Sequence, residues 1–143
     1  MYDTLHKAER KYFSHQFESV RHARDFASET LRAWDRLDIA EDIRLCLSEL
    51  ASNALTHADG PGRGFMVRLA ADPAGIRLEV HDAGAGQPNT SRPNDEATSG
   101  RGLMIVEELA DDWGVEKRKP FGKIVWSYFK SVTQGVSVSV AAA

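Results

Sequence analysis

Apolar residues recur at spacings of three and four in three stretches of the chain and alternate with polar ones in others. Val20, Ala23, Phe26, Ala27, Leu31 and Trp34 form one helical stripe, with Ser19 placed to cap a helix from about Val20 to Trp34. Ile43, Leu47, Leu50, Ala51 and Ala54 form a second, and Asp38 with Glu41 three residues later reads as its capping box. That helix runs to about His57, where Asp59-Gly60-Pro61-Gly62-Arg63-Gly64 stops it. Leu103, Ile105, Val106, Leu109 and Ala110 mark a third helix.

Strands are expected at 12–18, where aromatics stand at Phe13 and Phe17, at 65–70, at 76–82, at 113–116 and at 123–129. Asp72-Pro73-Ala74-Gly75 makes a hairpin of the second and third, and Lys119-Pro120-Phe121-Gly122 joins the last two. Residues 1–11 are polar and 131–143 are rich in Ser, Val, Gly and Ala, and both ends are expected to be poorly ordered. Residues 83–100 hold glycines and prolines with no apolar period, and a loop that long in a compact domain is usually functional or disordered. The order β-α-α-β-β-loop-α-β-β implies an α+β two-layer sandwich over about residues 12–130. Its sheet is mixed but mostly antiparallel, with the helices on one face.

Composition narrows the function classes. The chain has 143 residues, 42% of them hydrophobic, enough for one domain with a real core. Lys and Arg number 18 against 21 Asp and Glu, so the formal charge of −3 offers no footprint for nucleic acid or an anionic membrane. The single cysteine, Cys46, excludes an internal disulfide and reads as a small packed thiol. No apolar run approaches the roughly 20 residues of a membrane helix. The start, Met1-Tyr2-Asp3-Thr4-Leu5-His6-Lys7, has no hydrophobic signal core, so the cytoplasm is the expected compartment.

Three short patterns carry candidate chemistry. Glu49, Asn53 and His57 are four apart and stack on one side of the second helix. A carboxylate and a carboxamide one turn apart suit a hard cation, or a base beside a bound metal. Asp82-Ala83-Gly84-Ala85-Gly86 leaves the end of a strand, where a carboxylate at the rim can accept from an exocyclic amine such as that of adenine. Gly100-Arg101-Gly102-Leu103 opens the third helix, whose unpaired backbone N–H groups make an anion cradle that Arg101 can reinforce. No Gly-Lys-Ser/Thr follows, so this is not a Walker loop, and no βαβ unit surrounds it, so it is not a dinucleotide fingerprint.

In that order, helix Glu…Asn, strand-end Asp-x-Gly-x-Gly, long loop and Gly-x-Gly at a helix start, the chain closely resembles the GHKL (Bergerat-fold) ATP-binding superfamily. Sensor histidine kinases, gyrase-type topoisomerases, MutL proteins and the large heat-shock chaperones belong to it. The resemblance implies ATP and Mg²⁺ as cofactors. It makes Asn53 the Mg²⁺ ligand, Glu49 the general base and Asp82 the reader of the adenine amino group. It places Gly84, Gly86, Gly100, Arg101, Gly102 and Leu103 along the nucleotide, and makes about 87–99 a lid over it.

Within the superfamily, the short single-domain form, Leu47-Ser48-Glu49-Leu50-Ala51-Ser52-Asn53-Ala54 and Gly122-Lys123-Ile124-Val125-Trp126 resemble the anti-sigma-factor serine/threonine kinases of the actinomycete regulator type. That likeness implies phosphorylation of a small antagonist protein, sequestration of a sigma factor and a dimer. An ATP-gated binding protein without phosphotransfer is the alternative. Where the family often has a threonine in its last nucleotide loop, this chain has Lys123-Ile124. His57 is expected to end its helix by bonding backbone rather than to serve as a ligand.

Overall fold

The computed structural model describes residues 6–57, 64–82, 103–117 and 122–131. Along the chain these form β1 (Lys7–Phe13), α1 (Ser19–Ala33), a 3-10 turn (Leu37–Ile39), α2 (Ala40–His57), β2 (Phe65–Asp72) and β3 (Gly75–Asp82). They continue with α3 (residues 103–109), β4 (Asp112–Lys117) and β5 (Lys123–Lys130). The sheet has five strands in the order β1-β2-β3-β5-β4, and the chain is an α+β sandwich as its pattern implies.

Among the described residues every strand pair is antiparallel, where a mixed but mostly antiparallel sheet was expected. β3 and β4 do run the same way, as a strand-helix-strand connection allows, but β5 turns back from β4 and inserts between them.

The first strand lies earlier than its aromatics imply. β1 begins at Lys7, so residues 7–11 are paired with β2, and Phe17, 88% exposed, sits in the turn that follows. Of β1 only Phe13 is buried. An edge strand this charged has no alternation to read, and its charges discourage further pairing at the edge. Residues 1–5 and 132–143 lie outside the described residues.

Two helix ends also differ from expectation. Ser19 is the first residue of α1 rather than its cap; Glu18 holds the cap position without a side-chain bond, and Ser19 Oγ donates to the Ser14 carbonyl at 2.7 Å. Asp38 lies inside the 3-10 turn, and α2 starts at Ala40. At the other end of α1, Asp35 takes a left-handed φ of 59°, its N–H donates to the Arg32 carbonyl and that of Arg36 to the Leu31 carbonyl. This is a Schellman closure built without the usual glycine.

The core lies between the helices and one face of the sheet. Ala23, Ala27 and Leu31 of α1, Ile43, Leu47, Leu50 and Ala51 of α2 and Val106 of α3 are buried against Val67, Leu69, Ile76, Leu78, Val80 and Phe129. Cys46 is fully buried among them. Burial, with Asp42 and Glu49 nearby, pushes its thiol up to about 12, so it is the inert packed residue expected.

The opposite face of the sheet carries a polar network centred on Glu79. Its carboxylate accepts from His81 Nε2 and Arg77 Nε, both at 2.7 Å, with Arg68 at 3.5 Å. Arg77 in turn stacks over the Trp126 ring at 4.5 Å, and that ring lies so close over Gly114 that a Cβ there would meet it at 2.8 Å. Burial acts to raise the Glu79 carboxyl, but the bonds from His81 and Arg77 and the charges of Arg77 and Arg68 outweigh it and hold the group below its ordinary 4.5. A depressed carboxyl contributes stability above its unfolded value and loses it as pH falls through the folded one. Glu79→Gln is therefore expected to lower stability at neutral pH by about 2 kcal/mol. The difference from wild type should shrink as pH drops below 4.5, read by urea melts across that range. A difference independent of pH would show that the charge of Glu79 is not what holds the network.

Candidate functional site

The buried stripe of α2 fixes which way its polar residues turn. With Leu47, Leu50, Ala51 and Ala54 against the sheet, Glu49 and Asn53 are left half-buried at its flank, one turn apart. The C-terminal end of the helix is held by His15, whose Nε2–H donates to the Leu55 carbonyl at 3.0 Å. That carbonyl belongs to the last turn, where backbone acceptors have no helical partner. The His57 side chain, expected to bond backbone at this end, lies outside the described residues.

Asp82 ends β3 and is only 7% exposed. The register sets Phe65, Asp82, Lys123 and Lys117 in one row across β2, β3, β5 and β4, at one end of the sheet. The next row inward on the same face is Val67, Val80, Val125 and Val115.

Between this end of the sheet and the helices lies a cleft. α2 contributes Leu50, Asn53 and Ala54, and α3 contributes Leu103. The sheet contributes Val80, Asp82, Val115, Lys123 and Val125. The walls are mainly aliphatic, and Asn53, Asp82 and Lys123 are the polar side chains on them. A flat apolar ring can lie against such walls, with a few polar groups fixing its orientation.

Of the residues picked from sequence, Asn53, Asp82 and Leu103 meet in the cleft, although some 20 to 50 positions separate them in the chain. Glu49 stands one turn before Asn53 and is not among the lining residues. Gly84, Gly86, Gly100, Arg101, Gly102 and the expected lid at 87–99 lie outside the described residues. Leu50, Ala54, Val80, Val115 and Val125 also line the cleft and were not picked. The alternation of β5 already turns Val125 inward, whereas Val115, half-exposed at the mouth, carried no signal.

The donor set fits a nucleotide with its metal. A buried carboxylate on the rim of a mainly aliphatic cleft can accept from a neutral N–H donor such as an exocyclic amine. Among the described residues no group of three His, Cys, Asp or Glu is placed to hold a metal. Mg²⁺ does not need such a cage, since it binds with one or two protein oxygens plus phosphate and water, and the Asn53 carboxamide can supply one.

The model of the histidine kinase-like ATPase domain family matches residues 13–129. The chain belongs to that family. Domains of this kind bind ATP, typically with Mg²⁺, and the match covers every element from the end of β1 to β5. No curated protein matches the chain. No helix among the described residues is long and apolar enough to cross a membrane. As a histidine kinase-like ATPase domain, the chain sets its apolar cleft between α2 and the β3–β5 end of the sheet, with Asn53 on one wall and Asp82 on the other.

Proposed function

We propose that the chain binds Mg-ATP in this cleft and acts as an anti-sigma-type regulator in the cytoplasm. It transfers the γ-phosphoryl group to a serine or threonine of a small antagonist protein and sequesters a sigma factor. The observation that carries the nucleotide part is the placement of the half-buried Asn53 and the buried Asp82 in one aliphatic cleft. Asp82 accepts from the adenine amine. Asn53 holds Mg²⁺, which neutralises charge on the phosphates when bound. Glu49, one turn earlier, takes the proton of the incoming hydroxyl. The fit of Gly122-Lys123-Ile124-Val125-Trp126 and of the α2 segment to the actinomycete regulators supports the partner class.

A second reading keeps the nucleotide and drops the transfer: ATP occupancy gates partner binding and no phosphate moves. The position of Glu49 outside the lining of the cleft favours giving this reading a test of its own. The experiment is incubation with Mg²⁺ and γ-labelled ATP together with candidate antagonist proteins encoded beside this chain. Label on a partner serine or threonine is the expected result. ATP-dependent partner binding without label would replace the kinase by the gated regulator, and absence of ATP binding would remove both.

A further inference from the structure

Lys123 is the polar residue of the cleft that the proposed chemistry leaves without a task. It lies at the first position of β5, half-buried, directly opposite Asp82 in the register. Residues opposed across an antiparallel pair have Cβ atoms roughly 5 Å apart and point to the same face. Both side chains line the cleft. Among the described residues the Lys123 ammonium forms no ion pair. A lysine supplies donors and no acceptor, whereas an ionised aspartate supplies acceptors and no donor. The rim of the cleft therefore presents an acceptor and a donor side by side.

We propose that Lys123 is a base-reading residue and donates a hydrogen bond to the purine ring nitrogen N1 while Asp82 accepts from the adjacent 6-amino group. This rests on the reading of the cleft as an ATP site. The 6-amino group and N1 are neighbours on one edge of adenine, donor beside acceptor, which is the complement of what the two strands offer. Lys123 and Asp82 are direct partners in the register, so a base that engages the carboxylate can turn its N1 to the donor on β5. β2 places the apolar Phe65 opposite Asp82 on the other side, and a phenyl ring cannot supply this bond.

The test compares ATP with 1-deaza-ATP, in which N1 is replaced by C–H, by calorimetric titration with Mg²⁺ on wild type, Lys123→Met and Lys123→Arg. A hydrogen bond from a charged donor corresponds to a factor of roughly ten to a hundred in affinity. Wild type is expected to bind 1-deaza-ATP weaker than ATP by such a factor. In Lys123→Met the two ligands should bind alike, and Lys123→Arg should restore part of the preference for ATP. The wild-type comparison needs no variant to fold. Equal binding of ATP and 1-deaza-ATP by wild type overturns the assignment. So does a loss in Lys123→Met that grows from AMP to ADP to ATP, since that would place the ammonium on the phosphates. Failure of wild type to bind ATP at all would instead overturn the ATP-site reading itself.

Discussion

Asp82→Asn is expected to weaken ATP binding by roughly a hundredfold, with the fold intact. The carboxylate is 7% exposed at the end of β3, on the rim of an aliphatic cleft. A bond from a neutral amine to a charged acceptor is worth more than one between neutral groups, and more again where water is excluded. Asparagine keeps the shape but turns one acceptor oxygen into an N–H donor, which faces the amine like to like whenever the amide points that way. Calorimetric titration with Mg-ATP reads the affinity, and far-UV circular dichroism with a thermal melt reads the fold. A change below threefold would mean that the base does not sit against β3. Asn53→Ala under the same titration separates the two walls. Its effect should depend on Mg²⁺, whereas that of Asp82→Asn should persist when the metal is chelated.

Sequence pattern and structure agree where burial is one-sided. The stripe from Ile43 to Ala54 shows its period because one face of α2 is against the sheet and the other is not, so the positions of Glu49 and Asn53 followed from it. The β2–β3 hairpin was legible for a related reason. Asp72 and Gly75 pair across a two-residue turn, and Asp72 Oδ1 accepts from the N–H groups of Ala74 and Gly75, as a turn-forming aspartate does. β1 was misplaced because an edge strand with charged residues on both faces carries no alternation. The mostly antiparallel sheet was legible, but that every pair is antiparallel was not, because only the tertiary arrangement shows that β5 lies between β3 and β4.

The site divides along the same line. Asp82 and Asn53 were readable because each breaks a pattern: a carboxylate at the end of the apolar face of an alternating strand, and a carboxamide on the flank of an apolar stripe. That they share a cleft depends on the fold, since α2 and β3 belong to opposite layers. Lys123 was visible as a departure in the last loop, but its place beside Asp82 comes from the β3–β5 register, a pairing between segments some 40 residues apart. The bond from His15 to the Leu55 carbonyl likewise joins residues 40 positions apart and is visible only in the fold.

Glu49→Ala is expected to lower phosphotransfer to a partner protein by roughly a hundred- to ten-thousandfold, the usual contribution of a positioned general base. ATP affinity should change by less than threefold. The expectation rests on a division of labour along α2. Asn53 faces the cleft beside the aliphatic wall, whereas Glu49, one turn earlier, is half-buried and off the lining. Removing its carboxylate leaves the base-binding walls untouched. Glu49→Gln separates chemistry from packing, because it keeps the side-chain volume and cannot accept the proton. If the carboxylate is the base, Gln and Ala fall together. If Glu49 only shapes the helix flank, Gln retains activity while Ala loses it. Full activity in both variants would move the proton to another acceptor, and a protein that never labels a partner would leave Glu49 as a surface of the nucleotide-gated switch.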